Sequence, residues 1–267
     1  MEVLWLEQSE AEMPVSDDWL GPHEKLRLDA MRFPKRRTDW RLGRWTAKQA
    51  VAVYLKAPSD SQSLARIEIR SAESGAPEVF LDNGPCEVSI SITHSTGVAA
   101  CAVTAPQISI GCDLEFIEPR SDAFLADYFS EAEQMLVSRV PPNERGLFSN
   151  LLWSAKESAL KLLKVGLRLD TRCVEVSLDE DSLGPAGNSP KHTTFASLLE
   201  ASHDGRDWRP LIISQAGGHA LGGWWMSAGD FVRAIVTAPS SMAPRVLSLS
   251  DQEHDSRLQI QRLVGLQ

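Results

Sequence analysis

Two carboxylates, Asp113 and Glu115, lie two residues apart in a segment (residues 108–117) in which apolar and polar residues alternate. In a β-strand such residues share one face and lie roughly 6.5–7 Å apart. Their charges therefore repel unless a cation or bulk solvent compensates them. Mg²⁺ prefers oxygen ligands of this kind, but a solvated face of an antiparallel sheet explains the pair equally well. The pair thus predicts either a hard-metal site or a wet sheet surface.

A second group of reactive residue types lies in the helix predicted for residues 144–164. Glu157 and Lys161 are one turn apart, and an exposed pair at this spacing stabilises a helix by only about a few tenths of a kcal/mol. Trp153 lies on the same side, away from the apolar stripe, which indicates that this side meets another structural unit or a ligand. The pair is therefore either a surface salt bridge or part of a site. The apolar stripe consists of Phe148, Leu152, Ala155, Ala159 and Leu162.

Basic residues are concentrated between positions 32 and 48, where seven Lys or Arg accompany one acidic residue. The whole chain, by contrast, carries a net charge of −9. On the helix predicted for residues 35–56, four of these residues form one row, and stacked like charges destabilise a helix unless anions or carboxylates compensate them. Arginine matches the geometry of phosphate, so the row predicts a phosphate site or a face paired with the protein's own carboxylates. The row consists of Arg37, Arg41, Arg44 and Lys48.

His94 follows directly on a strand predicted for residues 87–93. A histidine at a strand end, followed by small residues, can reach a phosphate or a metal, and an ordinary hydrogen-bonded histidine explains it equally well. Ser95 does not form a hydrolase pair with it, because adjacent residues of a strand point to opposite faces. The sequence has no P-loop, G-x-G-x-x-G, H-E-x-x-H or G-x-S-x-G motif.

The pattern of elements predicts an α+β fold made of two similar halves. Each half is expected to be a small antiparallel sheet with a long helix. Strict βαβ alternation is absent, which argues against a doubly wound parallel sheet. We expect an N-terminal half over residues 1–108, a C-terminal half over 109–240 and a tail over 241–267.

The predicted helices lie at 23–31, at 35–56, from 130 with a capping box, and at 144–164. The predicted strands lie at 3–7, 66–70, 87–93, 98–104, 108–117, 173–178, 211–214, 219–227 and 231–237. Residues 71–85 are predicted to be mostly loop, 181–190 a surface insertion, and the segment after Pro244 a loose helix.

Composition limits the class of protein. The 267 residues include 27 basic and 36 acidic ones, so neither nucleic acid nor an anionic membrane is an expected partner. Four scattered cysteines without a C-x-x-C pair argue against a disulfide framework and a Cys-rich zinc site. We find no signal-peptide pattern in the first 20 residues and no stretch long enough to span a membrane. A cytoplasmic monomer is therefore expected.

Four elements in fixed order carry a family resemblance: the arginines at 41 and 44, S-I-T-H-S at 91–95, I-G-C-D-L-E at 110–115, and W-S-A-K-E-S-A-L-K at 153–161. This arrangement resembles the signature of the 4′-phosphopantetheinyl transferases, G-x-D-x-E, a spacer, and W-S-x-K-E-S/A-x-x-K. The resemblance covers about residues 22–166. The length indicates the larger, pseudo-dimeric type of that family, in which one chain carries both halves. The resemblance to this type implies a pseudo-twofold axis between the halves and an active site at their interface.

The resemblance implies an enzyme that moves phosphopantetheine from coenzyme A to a serine of an acyl or peptidyl carrier protein. It implies Mg²⁺, or Mn²⁺, held at the coenzyme A diphosphate by Asp113, Glu115 and Glu157. Glu157 would also be the base for the serine hydroxyl. The residues implied in catalysis are Glu157, Lys161, Asp113 and His94, and those implied to contact coenzyme A are Arg41, Arg44, Thr93, His94, Lys156 and Lys161.

The sequence departs from the family pattern at two positions. Cys112 replaces the usual Val or Ile on the core face of its strand, which is a conservative change. Ala76 stands where a Gly-Lys/Arg-Pro-like turn has its cation, so a contact to coenzyme A is either missing or supplied by another basic residue.

Two other classes of function remain open at this stage. The first is a non-catalytic module that binds carrier proteins or coenzyme A with the same fold. The second is a Mg²⁺-dependent phosphohydrolase that uses the same carboxylates and releases its product to water without a carrier.

Overall fold

Two sheets, each covered by one long helix, form most of the structure. The computed structural model describes residues 2–178, 207–215, 218 and 220–248. Its helices are α1 (Pro22–Asp29), α2 (Pro34–Leu55), α3 (Ser61–Arg66), α4 (Asp122–Tyr128), α5 (Glu131–Arg139) and α6 (Arg145–Leu162). Its strands are β1 (Val3–Ser9), β2 (Ile67–Ser71), β3 (Pro77–Leu81), β4 (Gly84–Pro85), β5 (Ser89–Ser95), β6 (Val98–Thr104), β7 (Ser109–Phe116), β8 (Val174–Ser177), β9 (Arg209–Gln215), β10 (Leu221–Ala228), β11 (Phe231–Ala238) and β12 (Arg245–Val246).

The strands form three sheets. The first has the order β12-β1-β6-β5 and the second β7-β11-β10-β9-β8, while β2, β3 and β4 form a small third sheet. Neighbouring strands are antiparallel except for β12, which runs parallel to β1. The predicted α+β class is thereby confirmed, whereas the internal two-fold axis and the boundary after residue 108 stay predictions.

The core has three layers of apolar contact because β1, β6 and β7 are buried on both faces. One cluster lies between α2 and the first sheet, and a second lies between α6 and the second sheet. A third cluster fills the space between the two sheets and includes Trp5, which is 0% exposed, and Cys112. The predicted core stripe of α6 and the predicted apolar face of β7 are both confirmed by these clusters.

Most element ends lie within two residues of the predicted ones, and the capping box of Ser130 with Glu133 at the start of α5 is confirmed. Three predictions were wrong or incomplete. Residues 71–85 contain β3 and β4, and the short helices α3 and α4 were missed because one or two turns give little periodicity. The tail begins with β12 rather than a helix, and Leu247 N–H donates to the Trp5 carbonyl. The predicted insertion at 181–190 lies outside the described residues.

No helix in the described part of the chain combines the length and hydropathy needed to cross a membrane.

Hydroxyl side chains join the two main sheets where their edge strands β5 and β7 meet. The backbone N–H groups of Cys112, Leu114 and Phe116 donate to hydroxyls that alternate along β5. An edge strand leaves such N–H groups without a strand partner, and here side-chain oxygens take the place of a neighbouring strand's carbonyls. The three accepting hydroxyls, at distances of 2.9, 3.3 and 3.3 Å, belong to Ser91, Thr93 and Ser95.

Helix α6 lies directly against the backbone of β7 at Gly111. A Cβ atom at this position would lie 1.9 Å from the Ser158 carbonyl oxygen and 2.6 Å from the Leu162 nitrogen. Both are backbone atoms of α6, so neither can move away from an added side chain unless the helix itself moves. The glycine is therefore what allows α6 to approach β7 closely enough for their side chains to interact.

Gly111→Ala should lower the free energy of unfolding by about 1–3 kcal/mol or more, because the added methyl forces α6 away from β7. The matched control is Gly146→Ala in α6, where the nearest atom, the Glu118 carbonyl oxygen, would be 3.5 Å from the new Cβ. That change should be neutral or stabilising, since alanine favours helix. Urea unfolding measures both, and an unchanged midpoint for Gly111→Ala would contradict the packing argument.

Candidate functional site

The carboxylate of Asp113 lies where β5, β7 and α6 meet, and the residue is only 4% exposed. Its Oδ1 atom accepts a hydrogen bond from Lys161 Nζ at 2.7 Å and another from Thr93 Oγ1 at 2.8 Å. Lys161 Nζ also donates to the Cys112 carbonyl at 3.1 Å. Within the described residues, Oδ2 is buried without a hydrogen-bond partner. The protein thus fixes one oxygen of Asp113 and leaves the other for a ligand.

Glu115 is held on the same face of β7 by two donors. Trp153 Nε1 donates to its Oε1 at 3.0 Å, and Arg120 Nη2 donates to its Oε2 at 2.9 Å. Burial, followed by the charge of Asp113, raises the pKa of Glu115 to about 7, and Arg120 opposes this shift. The predicted shared face of Asp113 and Glu115 is therefore real, and the face is partly desolvated rather than wet.

Glu157 and Lys161 project from α6 toward the same carboxylates. Burial raises the pKa of Glu157, and Asp113 adds to this, although Lys161 lowers it. Burial lowers the pKa of Lys161, but the charge and hydrogen bond of Asp113, together with Cys112 and Glu157, outweigh that effect, so the pKa is raised overall. Lys161 is thus a cation at neutral pH. The carboxylates also act on one another, because the charge of Asp113 raises the pKa of both Glu115 and Glu157.

The residues fit a divalent cation by charge and donor chemistry. The described residues contain no group of three or more His, Cys, Asp or Glu side chains placed to hold a metal by themselves. Mg²⁺, however, commonly takes one or two carboxylates together with substrate phosphates and waters. The unpartnered Oδ2 of Asp113 and the raised pKa values of Glu115 and Glu157 are what an additional positive charge would relieve.

Most of the basic row of α2 is paired within the protein, which favours the second of the two predicted interpretations over a phosphate site along the whole row. Arg37 donates to the Leu28 and Met31 carbonyls. Arg41 donates to Asp17 Oδ1 at 2.7 Å and to two nearby carbonyls, so its implied contact to coenzyme A is not supported. Lys48 is fully buried and forms an ion pair with Glu24.

Arg44 is the member of the row that does line a cavity, one of about 630 Å³. Its guanidinium lies 4.9 Å from the centroid of the Trp40 ring, and its Nε is buried without a hydrogen-bond partner among the described residues. His94 stands at the mouth of the same cavity. Desolvation by the walls lowers the pKa of His94, so its imidazole is neutral at pH 7 and can donate one ring N–H. The other cations of this cavity are Lys35 and Arg36.

A second cavity, of about 560 Å³, adjoins the first at Gly75, Pro77 and Ile92. Lys161 and Lys164 line it. The two cavities are therefore neighbours, with cations of α2 lining the first and Lys161, the partner of Asp113, lining the second. Ala76 lies in the wall of the second cavity, and Lys164 is a cation lining the same space.

Sequence reasoning missed Lys35, Arg36 and Lys164. The first two were counted in the basic cluster but lie outside the row that was singled out. The third follows the last turn of α6, and only the fold brings it to a cavity whose far wall comes from residues 74–79.

Lys156 was predicted to contact coenzyme A, and the structure contradicts this. The residue is 0% exposed, and its ammonium pairs with Glu133 Oε2 at 2.7 Å. It also donates to the carbonyls of Thr171 and Val174. A lysine held in this way by the core has no route to a ligand.

Two further interpretations change. Thr93, predicted to line the coenzyme A pocket, is 5% exposed, lies outside both cavity linings and bonds to Asp113. Trp153, expected to meet another structural unit or a ligand, is packed in the core cluster between α6 and the second sheet, with its ring centroid 5.1 Å from that of Phe124 and 4.9 Å from that of Tyr128.

Comparison with known proteins agrees with the motif analysis. Residues 109–213 match the family model of the 4′-phosphopantetheinyl transferase superfamily. This segment contains Asp113, Glu115, Glu157 and Lys161, so the resemblance inferred from the motifs is confirmed there. The matched segment is thus similar to this superfamily and includes the acidic site.

Among solved structures, the chain is similar to a holo-(acyl-carrier-protein) synthase from Bacillus anthracis str. Ames in complex with CoA (3′,5′-ADP). The sequence identity is 21% and the TM-score 0.33, and the match covers 38% of this chain and 92% of the synthase. No curated protein matches the sequence.

Replacing Lys156 by Met should lower the free energy of unfolding by about 3–5 kcal/mol, because Glu133 would keep a buried charge without its cation. The control is Arg66→Gln, which breaks an exposed pair with Asp82 and should leave stability unchanged. Urea unfolding compares the variants. If Lys156→Met were as stable as the wild type yet bound coenzyme A more weakly, the structural role of Lys156 would be refuted.

Proposed function

We propose that this protein is a 4′-phosphopantetheinyl transferase that moves phosphopantetheine from coenzyme A to a serine of a carrier protein. The observation that supports this best is the Asp113–Lys161 pair, in which one carboxylate oxygen has no partner among the described residues and the lysine lines a cavity adjoining one that Arg36 and Arg44 line. Its acidic site lies within the superfamily match. We further propose the larger, single-chain type of the family, acting as a cytoplasmic monomer with Mg²⁺.

The cavity system fits the charges of coenzyme A. Arg36 and Arg44 offer two cations to its 3′-phosphate, and His94 offers a neutral N–H donor. Lys161 and Lys164 offer two more to its diphosphate. Lys35 lines the first cavity too, but it is paired at 2.8 Å with Asp39, which also lines that cavity. Phosphoryl transfer depends mainly on positioning and on neutralising charge. The cations that line the two cavities would supply both.

Asp113, Glu115 and Glu157 would supply one or two of the ligands of Mg²⁺, with the diphosphate and waters supplying the rest, and the bound ion would neutralise charge on the diphosphate. In the reaction the serine oxygen forms a bond to the phosphorus that carries the pantetheine arm. The bond from that phosphorus to the bridging oxygen breaks, and adenosine 3′,5′-bisphosphate leaves. Glu157 accepts the serine proton, and its raised pKa brings it closer to neutral pH, as a general base requires.

Asp113→Asn and Glu157→Gln should each reduce carrier modification by about 10²–10⁴-fold. The first removes a negative charge that the reaction uses, and the second removes the base that accepts the serine proton. Intact-mass spectrometry of apo carrier proteins incubated with coenzyme A and Mg²⁺, with and without chelator, measures this. The control Glu175→Gln changes an exposed carboxylate of β8 and should retain full activity. Wild-type activity in Asp113→Asn would refute the site, and release of phosphopantetheine to water without a carrier would indicate a phosphohydrolase instead.

The cations of the first cavity make a separate prediction about the 3′-phosphate. Arg36→Gln should weaken coenzyme A binding about tenfold or more and leave the affinity for dephospho-coenzyme A unchanged, because the lost hydrogen bond is to a charged group. Isothermal titration calorimetry gives both constants. Arg41→Gln should alter neither, because Arg41 is bound to Asp17. Equal losses for both ligands in Arg36→Gln would place the 3′-phosphate elsewhere.

A further inference from the structure

Thr93 occupies a special position among the hydroxyls that join the two sheets. Like Ser91 and Ser95, it accepts a hydrogen bond from a backbone N–H of β7. It also donates its own proton to Asp113 Oδ1 at 2.8 Å. In the described part of the chain, no comparable bond to a carboxylate is found for Ser91 or Ser95. Thr93 therefore has two functions, one in the junction of the sheets and one at the site.

The Thr93 bond constrains how Asp113 presents its oxygens. Thr93 and Lys161 donate to the same oxygen, Oδ1, one from β5 and one from α6. Oδ2 is thereby left buried and without a partner. A flexible lysine side chain alone fixes a carboxylate poorly, whereas a threonine on a strand, itself anchored by the Leu114 N–H, is rigid.

We propose that Thr93 is a positioning residue that holds the rotamer of Asp113 so that Oδ2 faces a divalent cation. This rests on the proposed function and deepens it: the cation site would be set by a residue of the first sheet, across the junction from the carboxylate. Partners that orient a metal ligand in this way typically change metal affinity by about 10–100-fold when they are removed.

The test compares Thr93→Val, Thr93→Ser and Ser95→Ala with the wild type in the full chain. Valine has the shape of threonine without the hydroxyl, serine restores the donor, and Ser95→Ala removes a junction hydroxyl that does not bond to Asp113. Mn²⁺ is the probe, and its binding with coenzyme A present is followed by electron paramagnetic resonance. Coenzyme A affinity is measured separately in chelator, and stability by urea unfolding.

Thr93→Val should bind Mn²⁺ about tenfold or more weakly than the wild type. Its affinity for coenzyme A in chelator should be unchanged, and Thr93→Ser should recover most of the Mn²⁺ affinity. Ser95→Ala should bind Mn²⁺ with the affinity of the wild type, even if its free energy of unfolding is lowered as much as that of Thr93→Val. If Thr93→Val does not fold, Thr93→Ala, which adds no volume, carries the same expectation.

Equal Mn²⁺ affinity in Thr93→Val and the wild type would overturn the positioning role while leaving the transferase proposal intact, provided that the wild type modifies a carrier. An equal loss in Thr93→Val and Ser95→Ala would also overturn it, since the effect would then be one of the junction as a whole. A wild type that neither binds Mn²⁺ nor modifies any carrier would refute the proposed function itself.

Discussion

The contact between α6 and the backbone of β7 at Gly111 is the constraint on which the site depends. A side chain of any size at this position would collide with the backbone of α6. The close approach lets Lys161 reach both Asp113 and the Cys112 carbonyl. It also lets the Ser158 hydroxyl bond to the Ala234 carbonyl on β11, so the helix is fixed to two strands. Gly111, where the G-x-D-x-E signature begins, thus serves the packing, and Lys161, where the second motif ends, serves the chemistry that this packing allows.

The junction of the two sheets is the second requirement, because it contributes Thr93 to a site whose carboxylates belong to the other sheet. The junction is polar along β5 and β7 and apolar behind them, where the third core cluster lies. An ion pair between Glu7 and Arg233 links the same two sheets elsewhere. Alternating small hydroxyls suit this role, since they reach the N–H groups of an edge strand without separating the backbones.

The two long helices each bury one lysine, and both lysines have the same kind of surroundings. Lys48 pairs with Glu24 and Lys156 with Glu133, and each of these glutamates also caps a short helix and accepts from a strand N–H. An aromatic ring lies near each ammonium, that of Trp19 or Phe129. Such pairs are strongly destabilising to break and contribute to specificity more than to net stability. They show why basic residues on these helices cannot all be assigned to a ligand.

The sequence by itself determined the longer elements, the apolar faces of β7 and α6, and the acidic residues that share a face, because periodicity and spacing are local properties. Its motifs also indicated a resemblance to a superfamily whose model matches residues 109–213. Only the tertiary structure decided which basic residues face a cavity and which face the protein's own carboxylates. Arg41, Lys156 and Arg44 are alike in the sequence, yet Asp17 and Glu133 engage the first two while Arg44 lines a cavity. The partner of a charged side chain is set by residues distant in the chain, and no local pattern contains that information.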